Sequence, residues 1–179
     1  MKKMICFNAL AIAMIATAAQ AQAPNPLSAG AKRTYDITKG YLTRAAEKMP
    51  EENYSFKPTP DIRSFGQLVG HVADASFGFC SAVAGEKPPM GGFDGSLEKS
   101  KTSKADLQKA LADAFAYCDK VYASMTDSGG TAMVKGFWGE LPKLSVLDFN
   151  TAHNFEHYGN IVTYMRLKNI VPPSSEPRK

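Results

Sequence analysis

Four stretches of this chain repeat apolar residues at intervals of three, four and seven, and each is closed off by proline or glycine. That pattern restricts the chain to helices packed against helices. The first stretch, residues 26–48, places Leu27, Ala31, Tyr35, Ile37, Tyr41, Leu42 and Ala45 on one face, and Met49-Pro50 ends it. After a loop with Pro50, Pro58 and Pro60, Ser64 and Gln67 form the capping pattern S-x-x-Q. The helix it opens runs to about Ala84 with Leu68, His71, Val72, Ala75 and Phe79 inward. Gly85 is followed by EKPPMGGFDGSLEKSKT, too polar and breaker-rich for regular structure and long enough for a crossover. Ser103 and Asp106 open the third helix, which keeps period through Leu107, Leu111, Ala114, Cys118, Val121 and Tyr122 to about Thr126. The glycine-broken segment DSGGTAMVKGFWGELPKL holds the only tryptophan, Trp138, expected to pack on the bundle first and to cover a site second. Ser145 caps a last helix from about Val146 to Asn169. No strand is expected. The fold class is all-α, a four-helix bundle with a long crossover connection.

The chain has three histidines, and two of them, His153 and His157, stand four residues apart on the last helix. That spacing brings their Cβ atoms to about 5–6 Å, the geometry two ligands of one first-row metal need. His71 flanks the core on the second helix. A lone buried histidine is usually only hydrogen-bonded, and HxxxH also arises by chance. The company these residues keep is more telling. Val146, Phe149, Asn150, His153, His157, Asn160, Tyr164 and Leu167 lie within about 60° of one line on the last helix. Giving two such positions to His and two to Asn forgoes the burial of four apolar side chains, roughly 1.5–3 kcal/mol each. A bundle tolerates that best where polar groups surround something. We therefore expect a divalent metal site formed by His71, His153 and His157, with coordination positions left open. Imidazoles suit zinc, nickel and iron alike, so the donor set does not choose the ion.

The order of histidine on the second helix, long connection, then HxxxH on the last, here GQLVGHVADASFGF and TAHNFEHYGNIVTYMRLKNIVPPSS, resembles the DinB/YfiT-like superfamily of four-helix metalloproteins. The resemblance covers about Leu27 to Pro173. It implies a bundle whose three histidines hold a divalent metal with open or water-filled positions, and His71, His153 and His157 occupy the matching places. Members include metal-dependent hydrolases and transferases acting with low-molecular-weight cellular thiols. An exported chain would not meet the thiols that those transferases use.

If the site is catalytic, the reaction expected is hydrolysis, with a water on the metal as nucleophile. Glu156, about 60° around the helix from His153, is the candidate general base. Asp74, one turn after His71, is a candidate hydrogen-bond partner for an imidazole. Both carboxylates also fit plain surface positions. Asn150, Asn160 and Tyr164 either line the cavity or satisfy one another. Residues 153–157 also spell H-x-x-E-H, the zinc motif of a class of much larger peptidases, here a chance match. That motif needs an acidic ligand well downstream, and Glu176 in a proline-flanked tail is the only acid left. The non-enzymatic alternative is a metal-anchored binding or interaction module.

The first residues carry Lys2 and Lys3, an apolar stretch from Met4 to Ala18 and the small-residue ending Ala19-Gln20-Ala21. They read as a signal peptide, residues 1–21, cleaved after Ala21. The stretch is short for a membrane span. The expected location is periplasmic or secreted, with one domain over residues 22–173 and a disordered tail over 174–179. Removing Lys2 and Lys3 from 21 basic residues, against 17 acidic ones, leaves a net charge of +2. That balance argues against a nucleic-acid partner, and the lysines at 99, 101, 104 and 109 have no aromatic residues among them. Partners are expected to be an unknown small-molecule substrate, with a homodimer one arrangement that the helix faces allow. Cys80 and Cys118 remain after cleavage, and in an oxidising compartment two thiols tend to pair. We expect a Cys80–Cys118 disulfide over its rivals, separate buried thiols or metal ligation. Nine residues of helix put Cys80 on the face opposite His71, about 13 Å along the axis.

Overall fold

The computed structural model describes residues 25–177; the expected signal peptide lies outside the described residues. Four long helices carry the fold: α1 (Pro26–Lys48), α2 (Phe65–Ala84), α4 (Lys104–Ser124) and α5 (Lys143–Leu167). A one-turn helix, α3 (Ser96–Ser100), sits in the connection after α2. Both α1 and α2 pack against α4 and α5, so each pair α1/α2 and α4/α5 stands on a diagonal of the bundle. Sequence and structure agree on an all-α bundle.

Local chemistry sets the helix ends. Pro26 occupies the first turn of α1, where its missing N–H costs nothing. The carboxylate of Asp127 accepts the free N–H groups of Leu27 and Ser28 at 3.1 and 2.8 Å. At the start of α2, Ser64 Oγ accepts the Gln67 N–H while Gln67 Oε1 accepts the Ser64 N–H, the reciprocal cap expected. Gly85 closes α2 with φ 77°, a left-handed turn natural to glycine. Ser103 caps α4 through the Asp106 N–H.

The core is centred on α2, buried along nearly its whole length. Tyr35 of α1 stacks on Tyr122 of α4 with ring centroids 4.0 Å apart, and Tyr122 donates its hydroxyl to the Leu147 carbonyl of α5. Cys80 and Cys118, both fully buried, form the expected disulfide between α2 and α4, with Cα atoms 5.4 Å apart.

Four local expectations need correction. First, the segment after α4 contains a hairpin, β1 (Met133–Gly136) paired antiparallel with β2 (Gly139–Pro142), whose two-residue tip is Phe137-Trp138. Strands of four residues, each with a glycine at one end, are too short to display a period of two. Second, α3 forms inside the connection read as irregular, because Asp74 of α2 accepts the N–H groups of Leu97 and Glu98 at 3.1 and 2.8 Å. Its cap comes from another helix. Third, α5 begins at Lys143 behind Pro142, so Ser145 is inside the helix. Fourth, the tail is tied down as far as Glu176: residues 173–175 form a 3₁₀ turn, Tyr158 donates to Ser174 Oγ, and Lys48 pairs with Glu176.

Candidate metal centre

The three histidines converge. His71 Nε2 lies 3.2 Å from His153 Nε2, which lies 3.1 Å from His157 Nε2, and all three candidate ligand atoms fall within 4.8 Å of one another. Nitrogens held at 2.0–2.1 Å around one tetrahedral ion stand about 3.3 Å apart, so the spacing fits a shared cation. Hydrogen bonding alone fits poorly. His153 Nε2 has either one lone pair or one hydrogen and must face two neighbours, which a neutral imidazole cannot serve equally.

Electrostatics keeps the rings neutral. Burial, the charge on His157 and that on His71 push His153 down to about 4. Burial, followed by the charges on His71 and Arg63, pushes His157 down to about 4 as well. His71 is lowered by burial and Arg63, with Glu98 pulling the other way. A neutral imidazole is the form that ligates.

Behind the cluster stands a carboxylate that sequence reasoning missed. Glu98 Oε2 lies 3.2 Å from His71 Nδ1, and its Oε1 accepts from Arg63 Nε at 2.7 Å. With Glu98 accepting the Nδ1–H, the His71 lone pair sits on Nε2 and faces the other two rings. Three devices place Glu98 there. Asp74 caps α3, Gly70 lets α3 approach α2, and Tyr164 donates to the Arg63 carbonyl at 2.6 Å. A Cβ at Gly70 would stand 2.8 Å from Glu98 Cα. Asp74 therefore serves the backbone of α3 in place of the imidazole contact expected for it. The distal nitrogen of His157 has the Asn160 amide 3.5 Å away; that of His153 is buried with no hydrogen-bond partner among the described residues.

Glu156 is exposed and makes no hydrogen bond to an imidazole. It lines a cavity of about 580 Å³ that His157 also reaches, together with Lys57, Arg63, Asn160 and Tyr164. Asn150 instead donates to Tyr122 Oη within the core. A second cavity, about 240 Å³, touches His71 and His153 between aromatic side chains.

A helix bundle with three imidazoles converging from two of its helices defines a class of protein, the four-helix bundle with a candidate three-histidine metal centre. Residues 34–161 match the DinB superfamily, and the chain belongs to it. Solved structures agree on the fold. A DinB-like protein from Bacillus cereus aligns with a TM-score of 0.69 at 16% identity, over 81% of this chain and 95% of that one. One from Bacillus subtilis gives 0.66 at 18% identity, over 84% and 99%. A mycothiol-dependent maleylpyruvate isomerase gives 0.63 at 12% identity, over 75% of this chain and 60% of that one. A comparison with curated proteins finds no match.

Proposed function

We propose that this DinB-superfamily chain is an exported, divalent-metal-dependent hydrolase. The observation that carries the reading is the meeting of three neutral imidazoles at 3.1 and 3.2 Å, with Glu98 behind His71 and a polar cavity beside His157. His71, His153 and His157 hold the ion. It supplies Lewis acidity and acidifies water. Glu98 fixes the tautomer of His71, and Arg63 orients Glu98 by pairing with it. Glu156, at the rim of the polar cavity, accepts the proton that an attacking water gives up. Hydrolysis is preferred to thiol-dependent isomerisation, the reaction in the name of one structural neighbour, because an exported chain lacks access to cytosolic thiols. The disulfide supports export, since such bonds persist in oxidising compartments.

The test is turnover by metal-loaded and chelator-stripped protein on a panel of esters, amides and phosphoesters. The reading expects metal-dependent hydrolysis of at least one class, slowed about 10²- to 10⁴-fold in Glu156→Gln. Full metal occupancy with no turnover on any of them would instead leave the metal-anchored binding module.

A further inference from the structure

The two cavities that reach the histidines differ in chemistry. The larger one has Lys57, Asp61, Arg63, Glu98 and Glu156 along its walls. The smaller one is lined by Phe79, Phe93, Phe137 and Phe149 together with His71 and His153. Its single carboxyl, Asp74, has both oxygens occupied by the amides of α3, so no free charge faces its interior. Phe79 forms its centre, with ring centroids 5.0 Å from Phe93, 5.3 Å from Phe149 and 5.7 Å from His153. Phe93 rests directly on α2 at Gly78, where a Cβ would come within 2.8 Å of its ring. Yet Phe93, Phe149 and Phe137 remain 51%, 41% and 70% exposed. Three rings left in water around one concave mouth, beside a candidate metal centre, form the pattern of a ligand site.

We propose that this pocket holds an uncharged, compact apolar group, the size of one phenyl ring, belonging to the ligand on which the histidine centre acts. The proposal rests on the metal reading above. Size supports it: an apolar cavity of about 150 Å³ accepts benzene, and this one offers about 240 Å³, room for one ring and a short substituent. Orientation follows from the lining. The ring lies among the phenylalanines, and the polar part of the ligand reaches His71 and His153. Trp138, the only tryptophan, packs 5.5 Å from Phe79 and 5.9 Å from Phe93, so its emission reports on occupancy.

The experiment titrates zinc-loaded mature protein with benzohydroxamate and acetohydroxamate, which share a metal-binding group and differ by the ring. Calorimetry and Trp138 emission give the affinities. The expected result is benzohydroxamate binding tighter by about tenfold or more. Phe149→Ala should erase most of that preference while leaving zinc content and acetohydroxamate affinity unchanged, and Phe137→Ala should reduce it. One zinc per chain with equal affinities, or a preference that Phe149→Ala does not touch, would overturn this proposal and leave the metal reading standing. No zinc and no binding of either probe would remove both. A wild-type dimer in sedimentation that binds neither probe until Phe137→Asp makes it monomeric would overturn the proposal in favour of a second copy as occupant.

Discussion

At the scale of residues, the histidines were legible because helical periodicity converts spacing into direction: His153 and His157 share a face wherever that helix begins. Glu98 was not legible. Nothing in the string SLEKS marks a helix or a site, since its cap, Asp74, and the glycine it packs on, Gly70, belong to α2. Its role makes a sharp prediction. Glu98→Gln should weaken metal binding about 10- to 100-fold with the helical content intact, measured by competition with a chromophoric chelator. Metal-free protein should also be sensitive to acid. His153 and His157 are held at about 4 against an ordinary 6.5, so between those values the unfolded chain binds more protons than the folded one. Their contribution is fully present above about pH 6.5 and is lost as the pH falls towards 4. Urea midpoints of stripped protein at pH 7.5, 6 and 4.5 should decline in that order, and a flat profile would contradict the burial of neutral rings.

Among the elements, α5 presents two faces to the rest of the molecule. One buried line is Leu147, Thr151, Asn154, Tyr158, Ile161 and Met165, which fall within about 40° of a common direction. The stripe carrying His153 and His157 is centred roughly 110° away; Val146, Asn150, His157 and Tyr164 on it are buried, whereas Phe149 and Leu167 are exposed. Phe149 turns towards the small cavity, so the stripe expected to surround something is in part the wall of a site. The short α3 is the other element that matters. Gly70→Ala would push its backbone off α2, costing about 1–3 kcal/mol of stability. Because Glu98 would move with α3, the same variant should weaken metal binding, and a chemical melt combined with metal titration checks both. A variant that loses stability but keeps wild-type affinity would separate α3 from the site.

On the scale of the whole molecule, the disulfide joins α2 to α4 across a sequence separation of 38 residues, and neither cysteine belongs to the histidine cluster. Cys118→Ala should lower stability by about 2–4 kcal/mol while leaving the number of ions bound unchanged. Sequencing the amino terminus of exported protein should find Gln22 first, as cleavage after Ala21 requires. The central claim is that His71 and the pair on α5 hold one ion between two helices of the bundle. Elemental analysis of mature protein, offered zinc, nickel and iron in turn, tests it most directly, with His71→Ala and His153→Ala beside the wild type. The account predicts close to one ion per wild-type chain and its loss in both variants; a folded wild type that takes up none of the three would contradict it.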